Sequence, residues 1–387
     1  MQHEAAYISQ THGVTLATPF RCVTILPPAE RFAPGEAGAI ALLVRRMAHA
    51  TQGTTTVESV LGQPPRGQPF TGVPFTPVTP LWAPFSKSRR YAWALARQVK
   101  RLKPDILEVH NRPDIALMLR RFLPSLPIML VLHNDPCGMR RAKTAQERTQ
   151  LAKVVSVVGV SEWVRQRFLS QGVQGSVQVL PNSLNLAEIP PPLIPREKTL
   201  LFAGRIVADK GADIFVKACA QVLPHHPAWC ANMIGADRFG PTSPETPSLA
   251  ALRPQAQQAG VVLLGYQTHT AVLEAMARAA VVVVPSRWPE PFGMVALEAM
   301  ACGAALLVSN KGGLPDVVGE AGLLCDPDNL PEVVAKLTDL ITNEALRAEL
   351  AQKGLERAQF FQTDTLRLTR ESLQRACIAA WRTRCGG

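Results

Sequence analysis

The chain has 387 residues, 47% of them hydrophobic, and a formal net charge of +11. This length and composition exclude a globally disordered protein and favour two domains of roughly 190 residues each. No apolar stretch reaches about 18 residues, and the N-terminus lacks a basic start with an apolar core. Neither a transmembrane helix nor a signal peptide is therefore expected. The eight cysteines form no CxxC pair or zinc-like spacing, which predicts free thiols in a reducing cytoplasm.

The positive charge is concentrated in the first half of the chain. Residues 1–190 hold 22 Lys and Arg against 11 Asp and Glu, whereas residues 191–387 hold 19 of each kind. The segment 86–105, SKSRRYAWALARQVKRLKPD, has the spacing of a basic amphipathic helix. Such a helix either covers a sheet with a solvated outer face or rests on an anionic membrane surface. No stacking platform or helix-turn-helix pattern accompanies the charge, which argues against nucleic acid.

Short apolar runs alternate with amphipathic segments along both halves. Runs rich in Val, Ile and Leu predict parallel strands that are buried on both faces. In the first half they are 22–27, 54–60, 105–110, 128–133, 154–160 and 176–181, and in the second half 199–204, 229–235, 261–265, 281–285 and 304–309. Helical spacing lies at 38–50, 87–103, 211–223, 269–280 and through most of 330–384. The pattern predicts an α/β fold of two Rossmann-like, doubly wound domains facing a cleft, with C-terminal helices.

A proline-rich connector separates the two halves. Residues 187–198, AEIPPPLIPREK, contain four prolines, which cannot continue a helix or a central strand and make a stiff linker. We therefore predict an N-terminal domain over 1–190 and a C-terminal domain over 191–362. A last helix over 363–387 is predicted to pack back on the N-terminal domain.

The segment 285–303, PSRWPEPFGMVALEAMACG, carries the strongest functional signal. It leaves the four-valine strand run at the carboxyl end, where doubly wound sheets bind ligands. Helical spacing resumes at about Gly293. The unbonded N–H groups of Gly293, Met294 and Val295 would therefore form an anion site, which a phosphate can approach closely because residue 293 has no side chain.

Two glutamates, eight positions apart, flank this helix start. Glu298 lies about 7 Å along the axis from Gly293 at 1.5 Å per residue, within reach of a diol next to the phosphate. Glu290, in the loop before the Phe292-Gly293 turn, could hold hydroxyls on the other side. Both could instead be solvated surface carboxylates. The order of strand, turn and helix favours a nucleotide-sugar clamp, with the helix dipole for the diphosphate.

This segment resembles the E-x7-E signature of family-4 glycosyltransferases, retaining enzymes of the GT-B fold and the glycosyltransferase group 1 type. Residues 200–218, LLFAGRIVADKGADIFVKA, are similar to the Gly-Arg…Lys-Gly block of the family, and 308–318 to its glycine pair. The resemblance covers nearly all of 155–345 and is weaker over 1–150. It implies that the C-terminal domain binds a nucleotide sugar and the N-terminal domain an acceptor.

The resemblance also implies roles for individual residues. Arg205 and Lys210, preceded by Gly204, would grip the donor diphosphate, although both could be ordinary loop charges. Two cations and a helix N-terminus can stabilise a leaving diphosphate, so no metal ion or other cofactor is expected. His133, at the carboxyl end of a predicted strand, would lie beside the donor sugar. Together with Glu290 it completes the predicted catalytic set.

Three further positions are candidates on weaker grounds. In the family, a glycine-bearing loop at this place closes over the diphosphate, and here GEAG offers Gly35 and Gly38. Ser161 begins a predicted helix, where a serine commonly serves as N-cap, and the resemblance adds a possible donor contact. His110 ends another predicted strand and could reach the acceptor.

The implied function is transfer of a hexose from a nucleotide diphosphate sugar to a lipid-linked or lipopolysaccharide-type glycan. A UDP-sugar is the expected donor and bacterial surface polysaccharide the expected product. The protein would be cytoplasmic, with peripheral attachment to the inner face of the membrane. Two alternatives stay open, a sugar-nucleotide epimerase on the same scaffold and a non-catalytic peripheral membrane protein that binds nucleotide. A phosphorylase would need a pyridoxal phosphate lysine, for which no motif is present.

Overall fold

Two parallel β-sheets organise the chain in the computed structural model, which describes residues 18–80, 82, 84–237 and 245–385. The strands of the first sheet are β1 Phe20–Ile25, β2 Thr56–Gly62, β3 Phe75–Pro77, β4 Ile106–His110, β5 Ile128–Leu132, β6 Ser156–Gly159 and β7 Val177–Val179. Those of the second are β8 Glu197–Ala203, β9 Cys230–Ile234, β10 Val261–Leu263, β11 Ala279–Val284, β12 Ala305–Ser309 and β13 Leu323–Cys325.

Helices connect the strands and cover both faces of the sheets. Those of the first half are α1 Ala39–Ala50, α2 Lys87–Leu102, α3 Pro113–Phe122, α4 Ala145–Val154 and α5 Glu162–Leu169. Those of the second half are α6 Ala212–Val222, α7 Pro247–Gln258, α8 His269–Arg278, α9 Met294–Ala301, α10 Leu314–Val318, α11 Leu330–Thr342, α12 Glu344–Ala358 and α13 Thr363–Cys385.

The six strands of the second sheet follow the same order as the first six of the seven strands in the first sheet. The order is β3-β2-β1-β4-β5-β6-β7 in the first and β10-β9-β8-β11-β12-β13 in the second, with parallel pairing throughout these ladders. In each sheet the order reverses once, between β1 and β4 and between β8 and β11. Ligands of doubly wound folds bind outside the carboxyl ends of the strands at such a switch point. The predicted fold class is confirmed.

Every predicted strand run overlaps a strand of the structure, but two strands were not predicted. These are β3 and β13, which have only three residues each and lie at sheet edges. Their sequences, FTP and LLC, are too short to show a period, and a proline is tolerated at an edge. The central strands β4 and β5 are buried at every residue, which is why their apolar runs were easy to recognise.

The last helix, α13, packs on the first sheet. Trp381 Nε1 donates to the Ser125 carbonyl at 2.9 Å, and Arg375 Nη1 donates to the Thr18 carbonyl at 2.9 Å. Arg370, in the middle of the helix, is 3% exposed and enters the interior of the first half. The end of the chain therefore completes the core around β1, β2 and β4.

Helix α2 covers the first sheet with one face and leaves the other open. Tyr91, Leu95 and Val99 are buried, while Trp93 on the outer face is 44% exposed. The helix begins at the Ser86 cap, whose Oγ accepts the Arg89 amide at 3.3 Å. Within the described ranges, no helix is both long and apolar enough to cross a bilayer.

Candidate functional site

The loops after β8 and β11 meet at the second switch point. Gly211 has a left-handed backbone with φ +73°, and a Cβ there would overlap the Pro285 carbonyl. Only glycine permits this close approach, which brings Lys210 to the β11 loop. Lys210 Nζ forms an ion pair with Glu290 Oε1, which also accepts from Ser286 Oγ at 3.1 Å. Two of the four predicted catalytic residues are therefore in direct contact.

The same two loops are joined through their backbones. The Asp209 carbonyl accepts the amides of Arg287 and Trp288 at 2.9 and 3.0 Å. The Arg287 guanidinium is bound by both oxygens of Asp213 at 2.6 and 2.9 Å, so this arginine serves the structure of the loop. Lys210 Nζ lies 5.2 Å from the centre of the Trp288 ring. The ring limits where the ammonium can move.

Helix α9 begins beside these loops without a side-chain cap. Gly293 precedes it with φ +103°, and a Cβ there would overlap the Leu314 side chain. Met294 and Val295, in the first turn, are half-buried. A helix start that no side chain caps leaves amide N–H groups for an anion. This is the geometry that the sequence predicted for the diphosphate.

Glu298 has a partner that the sequence did not reveal. It is 9% exposed in the second turn of α9, and its Oε1 lies 3.0 Å from His269 Nε2 at the start of α8. The hydrogen bond with Glu298 raises the pKa of His269 above its ordinary value. The two residues are 29 positions apart on separate helices. No local pattern links them.

The glycine pair at 312–313 supports the loop that carries Glu290. The Gly313 amide donates to the Glu290 carbonyl at 2.6 Å. Gly312 has φ +65°, and a Cβ there would overlap the same carbonyl. These glycines therefore act on the position of Glu290, which is a more specific role than the sequence motif alone indicated.

Ser161 joins the two halves of the protein. Its Oγ accepts the Val164 amide at 3.1 Å as the N-cap of α5, and donates to the Pro291 carbonyl at 2.5 Å. The Trp163 amide adds a second link, to Asp316 Oδ2 at 2.9 Å. Ser161 is 3% exposed, so the structure uses it to hold the Glu290 loop against the first half. A donor contact from Ser161 stays a prediction.

Three more predicted residues lie in the loops after β8 and β11. Gly204 follows β8 with φ +147°, and a Cβ on Gly235, just after the neighbouring strand β9, would overlap its carbonyl. Arg205 follows and is half-buried. Phe292 is 4% exposed and packs on Phe361 with ring centres 5.8 Å apart, so it can offer a ligand its backbone but not its ring.

The carboxylate of Glu30 packs against the loop before α1. Glu30 Oε2 accepts the Ala41 amide at 3.2 Å, in the first turn of α1. A Cβ on Gly38 would lie 2.6 Å from Glu30 Oε1, so glycine makes room for this carboxylate. Gly35 has φ +75° and open space around it. The expectation that these glycines approach a diphosphate stays a prediction.

His133 and His110 form one buried unit at the carboxyl edge of the first sheet. His133 Nε2 lies 2.8 Å from His110 Nδ1, and His110 Nε2 lies 2.9 Å from Glu108 Oε1. His110 is 4% exposed with both nitrogens engaged, so it stands behind His133 and not at an acceptor surface. Burial, and then the neighbouring His110, hold the pKa of His133 well below its ordinary value.

Behind this pair lies a cluster of buried charge that sequence reasoning missed. Arg370 Nε donates to Glu108 Oε2 at 3.0 Å, and Arg370 Nη2 donates to Glu58 Oε1 at 2.6 Å. Both glutamates interrupt apolar strand runs, TVESV and DILEVH, and a carboxylate in a buried strand requires a cation. That was the available signal, but it could not identify Arg370 as the partner.

The predicted donor residues of the second half thus converge on one switch point, whereas His133 lies at the first sheet. Through the described part of the chain, no cluster of three or more His, Cys, Asp or Glu could hold a metal ion.

Two family models match most of the chain. Residues 43–188 match the model of Glycosyltransferase Family 4, and residues 188–357 match that of Glycosyl transferases group 1. YtcC of Bacillus subtilis, a protein named as a glycosyltransferase, is 26% identical over 298 residues, 71% of this chain and 73% of YtcC.

Two solved structures share the fold. Sucrose-phosphate synthase from Thermosynechococcus elongatus has a TM-score of 0.74 at 19% identity, covering 93% of this chain and 100% of its own. HepE from Anabaena, in complex with UDP-glucose, has a TM-score of 0.69 at 18% identity, covering 92% and 99%. Because the two family models together cover residues 43–357 and the chain has the two doubly wound sheets of the GT-B fold, it is a GT-B glycosyltransferase of group 1 with a family-4 N-terminal domain.

Proposed function

We propose that this glycosyltransferase moves a hexose from a UDP-sugar to a glycan or lipid-linked acceptor, with retention of configuration and without a metal ion. One observation carries the proposal. Lys210, Glu290 and the uncapped start of α9 lie together at the second switch point. The complex of HepE with UDP-glucose supports a UDP-sugar as the donor, because that protein has the same fold.

The charge of the site suits a diphosphate that leaves as an anion. Breaking the anomeric C–O bond puts negative charge on the diphosphate, and fixed cations stabilise that charge without reorganisation. Lys210 is 21% exposed and paired with Glu290. A diphosphate at the start of α9 would share the Lys210 ammonium with Glu290, and Arg205 would supply a second cation. Glu290, released in part from Lys210, would then accept from sugar hydroxyls.

In the proposed reaction the acceptor hydroxyl attacks the anomeric carbon on the face that the diphosphate leaves. A new C–O bond forms, the bond to the diphosphate breaks, and the acceptor proton passes to the departing diphosphate oxygen. Arg205, Lys210 and the amides of 293–295 stabilise the leaving group. Glu290, Glu298 and His133 position the donor, with Glu298 assigned to the ribose.

Thermal unfolding with UDP, GDP, ADP and UDP-glucose tests the donor site. A ligand that binds only the folded state raises the melting temperature by mass action. We expect a rise with UDP and UDP-glucose that is lost in Lys210→Ala. Lys217→Ala is the matched control, because Lys217 is 51% exposed and pairs with Asp213. A chain stabilised by none of the four nucleotides would contradict the proposal.

Product analysis separates transfer from the epimerase alternative. A transferase releases UDP in proportion to glycosylated acceptor, and chelation by EDTA should leave its rate unchanged. An epimerase converts the donor with no acceptor present, either into the epimeric nucleotide sugar or, when water cleaves the anomeric C–O bond, into nucleotide and free sugar. Rapid acceptor-independent turnover, or an activity that EDTA abolishes, would each overturn the corresponding part of the proposal.

We also propose that the acceptor is met at an anionic membrane surface, through the outer face of α2. Arg89 lies 4.3 Å from the Phe85 ring and Arg97 5.4 Å from the Trp93 ring. Phe85 and Trp93 are 51% and 44% exposed, and Trp82 just before them is 90% exposed. Aromatic rings among cations suit the boundary between headgroups and acyl chains.

Co-sedimentation with vesicles tests this surface. We expect binding to vesicles that contain phosphatidylglycerol, weak binding to phosphatidylcholine alone, and a loss of binding in Phe85→Ser. Phe360→Ser is the control, because both phenylalanines are 51% exposed but Phe85 packs on Arg89 of α2, whereas Phe360 lies far from it in the sequence, between α12 and α13. Equal binding by the two variants would argue for α2 as a solvated cover of the sheet.

A further inference from the structure

The start of α8 carries a histidine to which the proposed reaction gives no role. His269 is the first residue of α8 and follows the Thr268 cap, whose Oγ1 accepts the Ala271 amide at 3.3 Å. The side chain of His269 is 58% exposed. Among the described residues, its only hydrogen bond joins Nε2 to Glu298 Oε1 at 3.0 Å. The ring is therefore oriented by this carboxylate and not by burial in the core.

The Glu298 carboxylate is held through only one of its two oxygens. Glu298 is 9% exposed, and because an ionised carboxylate only accepts, the hydrogen of the bond lies on His269 Nε2. Within the described ranges, no donor binds the other oxygen, Oε2. Buried polar groups of folded proteins nearly always have hydrogen-bond partners. Glu298 thus has acceptor capacity that a bound ligand can use.

The two helices that carry this pair are fixed against each other. The Leu273 carbonyl of α8 accepts from Cys302 Sγ, just after α9, at 3.5 Å. Arg196 joins the ends of the same helices, because its guanidinium donates to the Ala279 carbonyl at 2.7 Å and also to the Cys302 carbonyl. The separation of His269 and Glu298 is therefore set by the packing of α8 on α9.

Charges from two further segments face the pair. The hydrogen bond with Glu298 raises the pKa of His269, while burial and Arg46 of α1 lower it and Glu188 of the connector raises it. The Arg46 guanidinium also donates to the Ser183 carbonyl, which ties α1 to the chain ahead of the connector. The pair therefore lies at the boundary between the two halves.

We infer that His269 is a positioning residue, which fixes the Glu298 carboxylate so that it accepts hydrogen bonds from the two ribose hydroxyls of the bound nucleotide. The assignment of the ribose to Glu298 rests on the proposed function, whereas the bond between His269 and Glu298 does not. Without His269 the carboxylate would turn freely and would lose that freedom on binding. Ordering one such side chain lowers affinity by about two- to tenfold.

NMR titration of the histidine rings tests the pair without any nucleotide. The His269 signals are identified as those missing in His269→Gln. Because Glu298 is the main group that raises the pKa of His269, this pKa should fall in Glu298→Gln. Arg46 and Glu188 face the ring in both proteins, so the difference reports the bond with Glu298. An unchanged pKa would contradict the positioning role.

Calorimetric titration with UDP and with 2′,3′-dideoxy-UDP tests the role of His269 in binding. The dideoxy nucleotide keeps the base and the diphosphate but lacks both ribose hydroxyls. In His269→Leu, affinity for UDP should fall by about two- to tenfold, while affinity for the dideoxy nucleotide should equal that of wild type. His269→Gln keeps an N–H donor and should restore most of the affinity for UDP.

His225→Leu is the matched control, because His225 is also exposed but follows the end of α6, away from the loops after β8 and β11. It should change neither affinity. Equal losses for UDP and 2′,3′-dideoxy-UDP in His269→Leu would indicate a general effect on the site and overturn the inference. An unchanged affinity for UDP would overturn it as well.

The same titrations separate this inference from the proposed function. If wild type binds GDP or ADP in place of UDP, the uridine donor is refuted, and the dideoxy form of that nucleotide decides the role of His269. If wild type binds none of the ribonucleotides, the proposed donor site and the role of His269 are both overturned. Failure of the inference alone appears as wild-type binding that His269→Leu leaves intact.

Discussion

The two sheets share a strand order and differ in where they place charge. The second sheet keeps its charges in loops beyond the strands, where Lys210 and Glu290 are 21% and 15% exposed. The first keeps Glu58 and Glu108 inside strands, each 2% exposed and paired with the same Arg370. A charge in a loop can exchange its partner for a ligand, whereas a buried charge cannot lose its partner without a large cost. The loop charges of the second sheet are therefore suited to binding a ligand, whereas the buried charges of the first sheet hold its own strands and α13 together.

The largest expected effect comes from breaking the buried cluster. Arg370→Met leaves two carboxylates without their cation, and we expect a loss of about 3–5 kcal/mol in the free energy of unfolding. Urea denaturation measures it. The control Arg382→Met, on the exposed end of the same helix, should change stability by about 0.5 kcal/mol or less. Similar values for both variants would show that the cluster does not stabilise the first half.

The same cluster makes a prediction about pH. The folded pKa of Glu108 is lowered, so its stabilisation is fully present above the unfolded pKa of about 4.3 and is lost as the pH falls through the folded pKa. The difference between wild type and Arg370→Met should therefore be widest above about pH 5 and shrink in more acidic buffer. A difference that grows on acidification would contradict the assignment.

The second expected effect concerns the loop that brings Lys210 to Glu290. Gly211→Ala should lower the free energy of unfolding by about 1–2 kcal/mol because of the left-handed backbone. Relieving the overlap with Pro285 should lower it by about 1–3 kcal/mol more. Stabilisation by UDP should disappear with it. Gly53→Ala is the control, because Gly53 has a similar φ of +74° but open space around it. Equal losses of stability in the two variants would mean that the close approach of Gly211 to Pro285 does not affect stability.

A third substitution weakens the link between the halves. Ser161→Ala removes the cap of α5 and the hydrogen bond to the Pro291 carbonyl. We expect the free energy of unfolding, measured with heat or urea, to fall by about 2 kcal/mol. Ser86→Ala removes only the cap of α2, an exposed one, and should cost about 1 kcal/mol or less. If the two variants lose the same amount, the interdomain bond contributes nothing measurable.

The smallest effect tests the pair of Glu298 and His269. Glu298 raises the pKa of His269, so the stabilisation is present below the ordinary pKa of about 6.5 and is lost as the pH rises through the folded pKa. His269 is 58% exposed, which limits the effect to a few tenths of a kcal/mol through solvent screening. His269→Gln should match wild type at pH 9 and be slightly less stable at pH 5.5. A difference confined to high pH would refute the pairing.

The sequence identified most of the groups at the second sheet and few at the first. Lys210, Glu290 and Gly293 stand next to strand ends or helix starts, which apolar runs and turns mark in contiguous residues. Even in the second half, however, His269 was missed, because it approaches Glu298 only through the packing of α8 beside α9. Where a functional group is positioned by its own loop, its neighbourhood in the sequence predicts it.

By itself, the sequence determined the α/β class, the two doubly wound sheets and the sheet edge at which Glu290 and Glu298 stand. These depend on periods and turns within a few residues. Only the tertiary structure decided that His110 lies behind His133 and that Arg370 neutralises Glu108, 262 positions away. Which residues become partners over such a distance depends on how whole helices and strands pack. A glutamate in a buried strand indicates that a cation lies nearby, but the local sequence does not identify that cation.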